Sequence, residues 1–372
     1  MNFPKKLADK LEKRIADNAF RNLINFSSKH KKTNKNWVDF FSNDYLGLSR
    51  VEFKGKYANG STGSRLISGN LQYTTQLEQL LANFFNTKSG LIFNSGYDAN
   101  LGIFSSIPQR GDTVIYDELC HASIRDGIRL SFAKNFSFKH NNTQHLQKRL
   151  EQAKGNIYVV IESIYSMDGD EALLGDISTL CERFGAFLVV DEAHSGGLYG
   201  KNGSGLVSKY GLDDKVFIKL ITFGKAFGSH GAVVLCDEKV RDFLINFAKS
   251  FIYTTALPLH SLKRIEQVID LCPLMNNVRH NLFDLVAYFK QEAILKNVEL
   301  IESNSPIQSI LISGNARVKK IESDLQNAGF AVKAILSPTV PKGKERIRIC
   351  LHAHNMKNQV SDFFKVLNFK NE

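Results

Sequence analysis

The sequence predicts an α/β protein: a large, mostly parallel sheet wrapped by helices, followed by a smaller α+β region. Three observations predict it. Short apolar runs recur between helical patterns from about residue 70 to 235, at 91–93, 113–115, 157–161, 187–190, 216–218 and 232–235. Uninterrupted apolar strands are the ones buried on both faces, which parallel sheets covered by helices require. The chain has 372 residues, 43% apolar and 23% charged, enough to bury a full core and too many for one small module. From about 305 the pattern changes to strand (307–312), helix (316–328), strand (331–335), strand (346–351) and helix (355–367). The expected division is an N-terminal segment over 1–45, a large α/β domain over 46–260 and a C-terminal α+β domain over 261–372.

The elements follow in order. Leu7, Leu11 and Ile15 recur at four-residue spacing, the stripe of an amphipathic helix. That N-terminus has no apolar signal core, and its Asp9, Glu12 and Asp17 are residues that transit peptides avoid. A short strand over 37–41 ends at the turn Ser42-Asn43-Asp44-Tyr45-Leu46-Gly47. Beyond the large sheet, 256–290 reads as linking helices. No run of 18 apolar residues exists, so no membrane-spanning helix is expected. The five cysteines, at 120, 181, 236, 272 and 350, form no CxxC pair and predict reduced thiols and a cytoplasmic home. A net charge of +11 fits an anionic partner or a merely solvated basic surface, and the one dense cluster, Lys29-His30-Lys31-Lys32, is too short for a nucleic-acid arm.

Ligands of parallel α/β sheets bind beyond the carboxyl ends of the strands. After 91–93 comes Asn94-Ser95-Gly96-Tyr97, a turn opening a helix, which suits an anion or is an ordinary helix start. After 187–190 comes Asp191-Glu192-Ala193-His194. A carboxylate at a buried strand end needs a cation; the plain alternative is a helix cap with a core histidine. After 216–221 comes Thr222-Phe223-Gly224-Lys225-Ala226-Phe227-Gly228. Lys225 is either a carbonyl nucleophile with a lowered pKa or a loop lysine in water. His121 follows the strand at 113–115, and 162–170 is polar and turn-rich. One ligand uses an anion nest, an Asp, two His and a Gly-flanked Lys together: pyridoxal phosphate, whose phosphate takes a helix N-terminus, whose aldehyde joins a lysine and whose ring nitrogen takes a carboxylate.

Asp-Glu-Ala-His is also the box of DEAH nucleic-acid ATPases. That reading needs a phosphate loop ending Gly-Lys-Ser/Thr. The Gly-Lys pairs ending at Lys56, Lys201, Lys225 and Lys344 are followed by Tyr57, Asn202, Ala226 and Glu345. No GxGxxG follows a strand, and His352 and His354 lack a third ligand, so neither a dinucleotide nor a metal site is expected.

From about residue 18 onward the chain resembles the α-oxoamine synthases, fold-type-I pyridoxal-phosphate enzymes that join an amino acid to an acyl thioester with loss of carbon dioxide. The matching segments include residues 41–48, Gly63-Ser64-Arg65-Leu66, Asn94-Ser95-Gly96-Tyr97, His121-Ala122-Ser123 and Ser166-Met167-Asp168-Gly169-Asp170. Asp191-Glu192-Ala193-His194, Thr222-Phe223-Gly224-Lys225, Ile252-Tyr253-Thr254-Thr255, Pro338-Thr339-Val340-Pro341 and Arg346-Ile347-Arg348 continue the match in order. The resemblance implies pyridoxal 5'-phosphate on Lys225, with Asp191 at the ring nitrogen, His121 stacked on the ring, and Ser95, Gly96, Tyr97, Ser166, His194 and Thr222 around the cofactor. It implies Thr254 and Thr255 reaching a partner subunit's cofactor in a homodimer with shared sites. It places Arg348 on the amino-acid carboxylate, Arg21 and Asn43 near the acyl-thioester entrance, and Thr339 in the substrate site. Gly-Ser-Arg-Leu, Asp170 and Pro-Thr-Val-Pro point to the branch that condenses L-alanine with a pimeloyl thioester, of coenzyme A or acyl carrier protein, in biotin synthesis. Branches using glycine with an acetyl group or serine with a palmitoyl group are the alternatives. Cys120, Ser195-Gly196-Gly197 and Leu336 depart from the usual family residues.

Overall fold

The computed structural model describes residues 3–21, 23, 36–53, 55–58 and 60–367. The basic cluster at 29–32 lies outside them. The chain forms two compact units: Leu46–Ser166 with Glu171–Arg279, and Met1–Tyr45 with Met167–Asp170 and His280–Glu372. The cuts thus fall at 45/46, 166/167, 170/171 and 279/280, against 45/46 and 260/261 read from the sequence, and residues 1–45 group with the C-terminal region.

The larger unit is built on a seven-stranded sheet in the order Ser89–Phe93, Ala232–Cys236, Val216–Thr222, Phe187–Asp191, Ile157–Glu162, Thr113–Asp117, Lys134–Phe138. Every neighbouring pair is parallel except the two made by Ala232–Cys236. Parallel neighbours cannot be joined by a tight turn. The helices Ala122–Arg129, Thr143–Glu151 and Leu174–Phe184 supply the crossovers between successive parallel strands. Ser89–Phe93, antiparallel to the one reversed strand, runs with the rest, so its carboxyl end opens on the same edge as those of the other parallel strands. The apolar runs are buried along their length, as at Ser89–Phe93 and Ala232–Cys236. Lys134–Phe138, sequence KNFSF, is a strand that the apolar-run criterion overlooks. It is the sheet's edge, and its first three residues are exposed, so burial never demanded an apolar run there.

In the smaller unit Lys333–Ile335, Arg346–Cys350 and Ile307–Leu311 form an antiparallel sheet. Val38–Asp39 pairs in parallel with Phe330–Ala331. The strand expected over 331–335 is therefore broken in two, each half serving a different sheet. Phe40 stacks on Phe330 at 5.9 Å and meets Phe363 edge-on at 5.5 Å, and Phe289 packs on Phe364 at 4.8 Å. Such aromatic pairs contribute about 0.5–1.5 kcal/mol each beyond their buried area. Residues 167–170 join this unit because Ser309 Oγ donates to the Met167 carbonyl and Ser303 Oγ to that of Gly169, each at 2.8 Å. The N-terminal helix Lys5–Ala16 forms as expected, but none of its residues is buried. Among the described residues no helix is long and apolar enough to cross a membrane.

Candidate active site

The larger unit gathers most of the expected residues at the carboxyl edge of its sheet. Asp191 ends Phe187–Asp191 and is 6% exposed. Its Oδ1 accepts the Ala193 N–H at 2.9 Å and its Oδ2 accepts Asn100 Nδ2 at 2.9 Å. Both oxygens are therefore held, and the carboxylate plane is set from two elements. Directly across the strand pair, in register, stands Glu162. Its Oε1 accepts the backbone N–H of His121 at 2.5 Å. Burial first, and Asp191 second, push the Glu162 carboxyl up to about 8, against a smaller lowering by Lys225.

His121 is the N-cap of Ala122–Arg129. As a residue it is exposed at the sheet edge, yet the protein around it lowers its pKa, with the positive charges of Lys225 and Arg125 adding to that and Asp191 opposing. Its Nδ1 lies 2.7 Å from Ser123 Oγ and accepts the Ser123 N–H at 3.2 Å. The Tyr97 ring meets it edge-on at 6.5 Å, and the Tyr97 hydroxyl donates to Asp126.

Lys225 lies half-buried in the turn after Val216–Thr222. That turn is closed by Gly228 N–H to the Lys225 carbonyl and Ser229 N–H to the Phe223 carbonyl, both at 2.8 Å. Gly228 has φ 55°, and a Cβ there would fall 2.1 Å from the Ser49 nitrogen, so only glycine permits the turn to sit where it does. Because the charge of Lys225 acts on both His121 and Glu162, the three form one electrostatic group with Asp191.

Ser95 caps the helix Gly96–Ser106, its Oγ accepting the Asp98 N–H at 3.1 Å and donating to Asp98 Oδ2 at 2.8 Å. A Cβ on Gly96 would lie 2.5 Å from Thr222 Cγ2. The helix start and the end of the neighbouring strand thus touch at a point where no side chain fits. Asn94 Nδ2 donates to Thr254 Oγ1 at 2.9 Å and to the Thr255 carbonyl at 2.8 Å, tying both threonines to the residue before this nest. Thr222 is half-buried, His194 is buried at 5% exposure, and Ser166 is half-buried at the end of its segment.

The remaining residues of the Asp191–His194 box have other tasks. Glu192 is fully enclosed, and its Oε1 accepts the N–H groups of Leu206 at 2.6 Å and Val207 at 3.0 Å and the Ser195 hydroxyl at 2.8 Å. It caps Leu206–Lys209 from inside, and Ser195 is spent on the same network. Cys120 is buried with its thiol directed at the Val160 carbonyl, 3.6 Å away, and burial raises its pKa.

In the smaller unit the four expected substrate residues fall into two pairs. Arg348 Nη2 donates to Asn43 Oδ1 at 3.1 Å, and the Tyr45 hydroxyl donates to the same oxygen at 3.2 Å. Arg21 Nη2 donates to Thr339 Oγ1 at 3.0 Å. Asn100, Ser123 and Glu162 join the carboxyl edge of the larger unit's sheet although the sequence pattern assigns them no role. Asn100 carries a usable signal, since it sits one helical turn beyond Gly96. Among the described residues no cluster of three or more His, Cys, Asp or Glu is arranged to hold a metal ion.

Residues 35–366 match the family aminotransferase class I and II. The chain is 41% identical over 368 residues to an 8-amino-7-oxononanoate synthase of Emericella nidulans, covering 89% of this chain and 88% of that one. Its fold superposes on the 8-amino-7-oxononanoate synthase of Francisella tularensis with a TM-score of 0.79 at 31% identity, over 89% of this chain and 96% of the other. A serine palmitoyltransferase from S. paucimobilis, solved with bound pyridoxal phosphate and myriocin, superposes with a TM-score of 0.88 at 25% identity, over 97% and 96% of the two chains.

Proposed function

The chain belongs to the class I and II aminotransferase family, and from that premise we propose that it condenses L-alanine with a pimeloyl thioester, losing carbon dioxide, to give 8-amino-7-oxononanoate for biotin. The cofactor is pyridoxal 5'-phosphate. One observation carries the reading: a buried carboxylate, Asp191, with both oxygens fixed by N–H donors, shares a strand edge with Lys225, His121 and a helix start at Gly96 where a Cβ does not fit. This is the donor set a phosphorylated pyridine aldehyde needs.

When bound, the cofactor supplies an electron sink for a carbanion at the amino acid's α-carbon. The chain's residues do the rest. Lys225 would hold the cofactor's aldehyde, and its amine, when free, would take the α-proton of the amino acid. Asp191 would sit at the ring nitrogen and favour its protonated form. Ser95, Gly96, Tyr97 and Thr222 would receive the phosphate at the helix start, where N–H groups and the helix dipole favour an anion. His121 would lie against the ring, with Ser166 and His194 beside it. Arg348, oriented by Asn43, takes the amino-acid carboxylate, and Arg21 with Thr339 guards the acyl side. The protein works as a homodimer in which Thr254 and Thr255 serve the partner's cofactor. The acyl donor is carried by coenzyme A or acyl carrier protein, whose negative charge suits the net charge of +11. A reducing cytoplasm fits five buried cysteines, none in a disulfide.

The serine palmitoyltransferase likeness supports the same chemistry with a different substrate pair, and the higher identity to the oxononanoate synthases favours alanine and pimeloyl. The deciding experiment is a matrix of glycine, alanine and serine against acetyl, pimeloyl and palmitoyl thioesters, scored by product mass. The highest kcat/KM for alanine with pimeloyl thioester is expected. Serine with palmitoyl, or glycine with acetyl, winning instead would reassign the substrates.

A further inference from the structure

The hydrogen bonds around Asp191 and His121 form one continuous chain with a fixed direction. A carboxylate only accepts, so the amide of Asn100 must present its NH2 to Asp191 Oδ2, which it does at 2.9 Å. The same Nδ2 donates to Ser123 Oγ at 3.0 Å. Ser123 Oγ, already accepting from Asn100, has a hydroxyl proton to place, and His121 Nδ1 lies 2.7 Å away. The Ser123 backbone N–H donates to that nitrogen as well, at 3.2 Å. Two donors therefore converge on Nδ1, which must carry a lone pair. Asn100 and Ser123 are buried, at 3% and 1% exposure, so water does not compete for these bonds. Glu162 fixes the backbone of His121 from the other side.

We infer that Asn100 and Ser123 are positioning residues that hold His121 as a neutral imidazole with its proton on Nε2 and tie its orientation to that of Asp191. The inference deepens the proposed function, because it gives the stacking histidine one tautomer and couples it to the carboxylate at the ring nitrogen. The lowered pKa of His121 agrees with the neutral form.

The test is 15N NMR of His121 in the cofactor-loaded enzyme, assigned by difference from His121→Gln, together with steady-state kinetics. In the wild type, Nδ1 should show the shift of an unprotonated acceptor and Nε2 that of a protonated nitrogen. Ser123→Ala should move the tautomer ratio about two- to tenfold toward Nδ1–H, the loss of one hydrogen bond. It should lower kcat about three- to tenfold with both KM values unchanged. Ser123→Thr, which keeps the hydroxyl, should restore the ratio and kcat. Asn100→Ala, a second variant should Ser123→Ala fold poorly, should shift the ratio in the same direction. A wild-type ring protonated on Nδ1, or a ratio unmoved in both alanine variants, overturns the inference. Failure to load pyridoxal phosphate would sink the proposed function instead, and the tautomer measurement on that same protein would still decide the orientation of His121.

Discussion

Glu162 and His121 are joined through the backbone: the carboxyl of a fully buried glutamate accepts the His121 N–H at 2.5 Å, directly across a strand pair from Asp191. Two carboxyl groups at neighbouring strand ends cannot both carry charge cheaply in a buried setting. The burden falls on Glu162, which is raised from 4.5 to about 8.

Glu162 therefore makes stability depend on pH. Between 4.5 and about 8 the folded chain holds a proton that the unfolded chain has released. This contribution is complete below 4.5 and is lost as pH rises through about 8. Glu162→Gln keeps a side-chain carbonyl for His121 but never ionises. Urea melts should show the variant more stable than the wild type above pH 8, with the gap closing as pH falls. The slope it removes is at most about 1.4 kcal/mol per pH unit. His121 acts in the opposite sense: its pKa is below 6.5, so its contribution is lost as pH falls beneath that value.

Lys225 is the lysine that borohydride should fix to pyridoxal phosphate. Peptide mapping should place the label there. Lys225→Ala should lower kcat by about 10³-fold, the scale of a lost acid–base group, while far-ultraviolet circular dichroism stays native. A label on another lysine would displace this assignment.

Gly96→Ala should weaken cofactor binding, because the new Cβ lies 2.5 Å from Thr222 Cγ2. Overpacking of this kind costs about 1–3 kcal/mol, so Kd for pyridoxal phosphate should rise by about 5- to 150-fold. Replacing Thr222 with Ser removes that methyl. The double variant should recover part of the affinity, and a double variant no better than Gly96→Ala would show that the contact is not the cause.

Arg348→Lys should raise KM for the amino acid about tenfold or more with a smaller change in kcat. An ammonium cannot reproduce the planar guanidinium that donates to Asn43 Oδ1 and that we propose takes the amino-acid carboxylate. An unchanged KM would remove Arg348 from amino-acid recognition.

Periodicity and strand-end position carried the main architecture and put Asp191 and Lys225 at the ends of their strands. The apolar runs ending near Phe93, Asp191 and Thr222 are local, and a run buried on both faces leaves its mark in composition. Asp191 and Lys225 could be read from the residues that follow such runs. Periodicity could not place Lys134–Phe138, because an edge strand need not be apolar, nor the split of 331–335, because two sheets compete for it.

Tertiary structure alone decided who touches whom. Glu162 faces Asp191 only through the register of two strands, and Asn100 meets Asp191 only through the packing of a helix on the sheet edge. In a linear text the strand-end glutamate looks ordinary, and Asn100 shows only its spacing from Gly96. Their meaning depends on burial and on partners 91 and 41 residues away in the chain, Asp191 and His121. The order of residues is enough to say which chemical groups stand at the strand ends. The fold determined their protonation, because desolvation and the direction of each hydrogen bond exist only once the elements are packed.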